Sequence, residues 1–189
     1  RVVGRRRLLH VTHDDHDHIG SLHRIKMENQ NITVISSEIE APYIQGDKKS
    51  LRLIQAEEFN KTLSGKELEF GIQFVNYLTG IETCRVDFTV IDGSYIIPGL
   101  KVIHTPGHTP GHISLFSEES ATLFAGDALA AINNQLVVAN PEYTLDFNLC
   151  LNSIEKIIAL APERIICYHG GLIENDTKKQ LENILNAYR

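Results

Sequence analysis

Six consecutive side chains of metal-binding type, His13-Asp14-Asp15-His16-Asp17-His18, stand directly after a short, partly apolar run from Leu8 to Thr12. If the backbone stays extended beyond that run, His13, Asp15 and Asp17 point one way and Asp14 and His16 the other. His18 then begins a helix beside the turning Gly20. Carboxylates and imidazole lone pairs this close repel one another without a cation, and the mixture suits zinc, iron or manganese. A solvated acidic loop accommodates one or two such residues but accounts poorly for this density after a buried strand. The run therefore reads as a metal site.

Three further strand ends deliver the same kind of donor. Thr105-Pro106-Gly107-His108-Thr109-Pro110-Gly111-His112 holds His108 between two Pro-Gly turns, which fix the backbone and suit a metal ligand. His112 opens the next strand and reads as a support for the site or as packing. Phe124-Ala125-Gly126-Asp127-Ala128 places a carboxylate just past a buried strand, and Tyr168-His169-Gly170-Gly171 does the same with an imidazole. Each is weak alone; together they are a strong signal.

The rest of the chain alternates helix and strand patterns. Strands are expected over Leu8 to Thr12, Ile32 to Ile35, Val86 to Ile91, Lys101 to Thr105, Ile113 to Phe116, Thr122 to Ala125, Leu136 to Val138 and Arg164 to Tyr168. Those from Val86 to Ala125 have the turn spacing of hairpins. A helix is expected from Ile19 to Met27, and a short one from Glu38 to Tyr43. Residues 51–80 read as a helical insert whose Phe70, Phe74, Tyr77 and Leu78 share one face. That face is first a core or dimer surface and second the lining of a substrate pocket. Thr144 is expected to cap a helix with Leu145, Leu149, Ile154, Ile157 and Ile158 inward. A last helix carries Leu181, Ile184, Leu185 and Tyr188. The sum is one mixed α/β domain over residues 1–189, with residues 1–7 a tag, a disordered arm or the trace of a missing start.

A net charge of −6 disfavours a nucleic-acid partner. No apolar run approaches the roughly 20 residues that span a bilayer, and the opening residues carry no signal-peptide pattern. Cys84, Cys150 and Cys167 form no close-spaced pair and read as reduced thiols. A cytoplasmic protein without membrane contact is expected, with a small-molecule substrate and room for a homodimer.

Taken in order, these motifs resemble the metallo-β-lactamase superfamily, especially its glyoxalase-II-like hydrolases, over nearly the whole chain from Leu9 onward. That family carries His-x-His-x-Asp-His, then Pro-Gly-His, Gly-Asp and a late Gly-flanked His. The resemblance implies an αββα sandwich with a two-metal site at one edge of its sheets. It also implies that His13, Asp15 and His108 hold one metal and that Asp17, His18 and His169 hold the other. Asp127 would bridge them, together with a hydroxide. The family usually supplies strands before its first motif, so part of the first sheet is expected to be missing here.

Asp15 stands where the family usually has its second His. A one-residue slip would promote His16 but break the alternation, so Asp15 is preferred. Two divalent cations balanced by Asp15, Asp17, Asp127 and a hydroxide give a site close to neutral, one charge below what a His would leave. That is expected to harden the first metal's ligand set, so iron or manganese stands beside zinc. The implied activity is hydrolysis of an ester, thioester or lactone carbonyl, with Asp17 orienting the attacking hydroxide. No Tyr closely follows Asp127, where lactone-hydrolysing relatives usually carry one, and a glutathione-binding helical extension is not expected. The alternatives are a di-iron protein reducing oxygen or nitric oxide, and a phosphodiesterase.

Overall fold

The computed structural model describes residues 7–189, so the expected tag or disordered arm, for residues 1–6, lies outside the described residues. The chain divides into two compact units after Thr89. The first begins with β1 (Arg7–His10), α1 (His16–Ile19) and α2 (Leu22–Glu28), followed by β2 (Ile32–Ser37). β2 runs parallel to β1 with Leu9 opposite Val34. α3 (Ala41–Ile44), α4 (Leu51–Asn60), α5 (Gly65–Thr79) and β3 (Phe88–Val90) follow, and the sheet order is β1-β2-β3. The core of this unit is built from Val11, Ile19, Leu22, Ile32, Val34, Ala41, Ile44, Cys84 and Val86. Burying such aliphatic side chains stabilises by about 1.5–3 kcal/mol each before chain entropy is counted.

The second unit holds β4 (Tyr95–Ile97), β5 (Leu100–His104), β6 (Ile113–Ser117), β7 (Thr122–Gly126), β8 (Ala130–Ile132) and β9 (Gln135–Val137). α6 (Phe147–Leu160), β10 (Arg164–Cys167), β11 (Gly171–Ile173) and α7 (Thr177–Tyr188) complete it. Its main sheet has the order β11-β10-β7-β6-β5-β4, in which only β10 and β7 pair in parallel. That pair needs a crossover, which α6 supplies. β8 and β9 form a separate hairpin. Its turn uses Asn133 and Asn134, both with positive φ, as a tight two-residue hairpin requires. α6 begins at Asp146, whose side chain accepts from Leu149 N, and packs Cys150, Leu151, Ile154 and Ile157 into the core.

Several expectations are corrected. The helical insert is two helices broken between Asn60 and Gly65; of its predicted apolar face only Leu78 is buried, and Phe70 is exposed. The cap of α6 is Asp146 rather than Thr144, which leaves Leu145 outside the helix and Leu149 exposed. The Val86–Ile91 strand is shorter and joins the first sheet, so it forms no hairpin with the strand at Lys101. Among the described residues, no helix is long and apolar enough to cross a membrane.

Candidate metal centre

In the first unit the backbone beyond β1 stays extended only as far as Asp15 (φ −68°, ψ 149°), which precedes α1. The expected alternation therefore stops there: Asp17 and His18 ride on a helical turn, while His13 and Asp15 project from extended chain. The Thr12 hydroxyl lies 2.9 Å from His13 Nδ1 and 3.1 Å from His18 Nδ1, and the two rings stack with centroids 4.1 Å apart. An oxygen with two lone pairs can accept from both Nδ1–H groups, which leaves each Nε2 as a lone-pair donor. His13 Nε2 is then 3.5 Å from Asp15 Oδ2, and His18 Nε2 is 3.8 Å from Asp17 Oδ2. His16 instead has its ring edge-on to Phe74 and Tyr77 of α5, with centroids at 5.6 and 5.7 Å.

The two remaining acidic positions anchor α4. Asp14 Oδ2 accepts from Leu51 N at 3.1 Å, and Asp14 N donates to the buried Glu40 carboxylate at 3.2 Å. Burial, with Asp15 adjacent, pushes the Asp14 carboxyl above its ordinary range. Asp15 is clasped by Arg52: Nε donates to Oδ1 at 3.1 Å and Nη2 to Oδ2 at 2.6 Å. Both side chains are buried, at 3% and 8% exposure, so the pair is a desolvated one rather than a surface contact. The sum of charges expected from the donors alone did not include this guanidinium. Counting the Arg52 guanidinium raises the near-neutral donor set by one charge, to the value that a His at position 15 would have left.

In the second unit, His108 Nε2 lies 3.7 Å and His169 Nε2 3.4 Å from the same oxygen, Asp127 Oδ2. The loop carrying His108 is pinned to the start of α6, where Asp146 N donates to Gly107 O and Leu145 N to His108 O. A Cβ on Gly107 would meet the Cys150 backbone at 2.4 Å, so a glycine is required for that close approach. His112 is fully buried and positions Asp127. Its Nε2 accepts from Asp127 N at 3.0 Å and its Nδ1–H donates to Thr105 Oγ1 at 2.9 Å. The Thr105 hydroxyl in turn donates to Ser114 Oγ, which donates to Ala125 O. The direction of every bond in this chain fixes one neutral tautomer of His112. His169 is held through its carbonyl, which accepts from Ala131 N at 2.8 Å.

The donor set fits metal. Two ligands on one ion at ~2.1 Å and the tetrahedral angle lie about 3.4 Å apart. The four imidazole–carboxylate separations, 3.4 to 3.8 Å, bracket that edge and exceed ordinary hydrogen-bond length. Thr12, Arg52 and Glu40 carried no signal of their own in the sequence, because their roles come from partners on other elements.

A family model for the metallo-β-lactamase superfamily matches residues 7–169, and thus reaches into both units. The probable metallo-hydrolase YflN of Bacillus subtilis is 31% identical over 174 residues, covering 85% of this chain and 62% of its own length. An N-acyl homoserine lactonase from a Bacillus species is 27% identical over 169 residues, covering 84% of this chain and 63% of its own. A metallo-β-lactamase family protein of Thermus thermophilus, TTHA1429, matches with a TM-score of 0.71 at 22% identity, covering 96% of this chain and 60% of that one. This chain spans about three fifths of the length of these three proteins. With the motif order, the family model and the fold in agreement, the chain belongs to the metallo-β-lactamase superfamily and has its α/β fold.

Proposed function

We propose that this protein is a metal-dependent hydrolase of a small ester, thioester or lactone, with His13, Asp15, Asp17, His18, His108, Asp127 and His169 as its metal donors. The observation that carries this reading is Asp127, one of whose carboxylate oxygens stands 3.4–3.7 Å from two separate imidazoles, a spacing at which the three side chains could hold metal together. Zinc is the metal of choice, since four imidazoles suit it and Arg52 offsets the extra carboxylate. Asp15 is preferred to His16 because it faces His13, whereas His16 lies against Phe74 and Tyr77. The whole chain is read as one catalytic domain, with the insert at residues 51–80 next to its site.

When bound, two divalent cations would polarise the substrate carbonyl and lower the pKa of an attacking water. The exposed carboxylate of Asp17 would accept that water's proton as its oxygen adds to the carbonyl carbon, and would return it to the alkoxide or thiolate released when the acyl bond breaks. Thr12 keeps His13 and His18 in one orientation, and His112 does the same for the Asp127 backbone. The ring edges of Phe74 and Tyr77 beside His16 offer apolar contact to the acyl part of a substrate. Lactone is a supported member of this substrate class, since similar proteins are lactonases. The acidic charge disfavours nucleic-acid substrates, and three free, buried cysteines suit a cytoplasmic setting.

Zinc-loaded protein tested on generic esters, thioesters, lactones and phosphodiesters is expected to turn over a carbonyl compound and to lose that turnover to a chelator. Turnover of phosphodiesters alone, or reductant-dependent consumption of oxygen or nitric oxide, would overturn the reading. Asp127→Ala is expected to lose metal and turnover together.

A further inference from the structure

We infer that Asp15 and Arg52 act as one unit that stands in for a neutral imidazole, with Arg52 as a positioning residue for the metal site. The inference rests on the metal reading above and extends it to a residue outside the donor set. A neutral imidazole brings one lone pair and no charge. A carboxylate brings lone pairs and one negative charge, which strengthens its hold on a cation but also draws it toward other orientations and protons. Arg52 removes both differences. Its Nε and Nη2 take one edge of the carboxylate in a fork, at 3.1 and 2.6 Å, and its cation cancels the carboxylate charge. The oxygen that Nη2 grips is also the one 3.5 Å from His13 Nε2, so the clasp fixes the atom that faces the metal.

The pair is built into the fold. Asp15 is the last extended residue before α1, and Arg52 is the second residue of α4, whose first residue is held by Asp14. Adjacent acidic residues therefore dock the start of α4, Asp14 by a backbone amide and Asp15 by a guanidinium. Burial ties the two charges together: with Asp15 gone, the Arg52 guanidinium would stand out of water beside divalent ions without its carboxylate. The inference thus predicts that positions 15 and 52 are coupled in zinc affinity as well as in stability, whereas a purely structural clamp on α4 would couple them in stability alone.

Four proteins test this: wild type, Asp15→His, Arg52→Met, and the double variant Asp15→His/Arg52→Met. Zinc bound per chain and zinc affinity are measured in chelator-buffered zinc, with circular dichroism as a check on folding. Asp15→His alone supplies the family's usual ligand but leaves the guanidinium buried against the metal, and is expected to bind the first zinc at least about a hundredfold more weakly. The double variant is expected to recover to within about threefold of wild type. If Asp15→His fails to fold, a folded double variant that binds zinc within about threefold of wild type supports the inference, and one that is unfolded or binds zinc far more weakly overturns it. Wild-type affinity in Asp15→His, or a double variant no better than Asp15→His, also overturns it. A wild-type protein that binds no zinc would instead remove the metal reading itself.

Discussion

Gly170 and Gly171 follow His169, both have positive φ, and they differ in what surrounds them. Gly170 has φ +101°, and a Cβ there would lie 1.9 Å from Ala131 O and 2.6 Å from its carbonyl carbon. Gly171 has φ +87° and nothing within 4 Å of the same added atom. Replacing either with Ala adds the left-handed backbone penalty, about 1–2 kcal/mol. Only Gly170→Ala adds a collision. Bringing 1.9 Å out to an ordinary contact of ~3.4 Å moves the His169 turn and β8 apart by about 1.5 Å, at a further cost of about 1–3 kcal/mol. The Ala131 N to His169 O bond at 2.8 Å is then lost or stretched. So is the 3.4 Å approach of His169 to Asp127, because metal sites tolerate only about 0.2 Å. Thermal unfolding in chelator is expected to place Gly170→Ala roughly 2–12 °C below Gly171→Ala. Zinc content is expected to fall in the first variant and hold in the second. Equal melting temperatures and equal zinc content in the two would refute the steric argument.

His10 gives the molecule an acid limb of its own. Its Nε2 is buried without a hydrogen-bond partner, and burial lowers its pKa to about 4. The unfolded chain therefore takes up a proton first, so stability is intact above pH ~6.5 and falls as pH drops toward 4, by up to about 3 kcal/mol. Urea unfolding should show the stability of His10→Leu relative to wild type rising by that amount as pH falls across this window; a pH-independent difference would contradict it. Burial likewise pushes the Cys150 thiol up to about 11 and the Cys167 thiol up to about 12, with the Asp127 carboxylate adding to the latter. At pH 8 a chromogenic disulfide reagent should label none of the three cysteines in the native protein and all three in urea, and rapid native labelling of Cys150 or Cys167 would count against this.

The candidate donors His108, Asp127 and His169 were legible in the sequence because each follows a strand long enough to show an apolar pattern, beside a glycine or proline that marks the turn. β5, β6, β7 and β10 were found for that reason. β4, β8 and β11 were not expected, since three residues hold little of a period; β9, as short, was found only through its Leu-Val-Val run. The helical insert was legible as helix but not in its facing, since Phe70 and Phe74 obey the same spacing whether or not anything covers them.

What the sequence hid most completely is electrostatic. Asp15 looked like a charge added to a metal site, and every consequence drawn from it followed from that sum. Arg52 lies 37 residues away, between Leu51 and Leu53 on a helix whose pattern gives it no reason to be buried. Periodicity reports which residues share a face of one element. It is silent on which charges from two elements meet out of water, where a single guanidinium changes the balance by a full unit. The His-to-Asp difference is therefore best understood as half of a change, completed on α4. A substitution at position 15 interpreted without position 52 will mislead about the metal it favours.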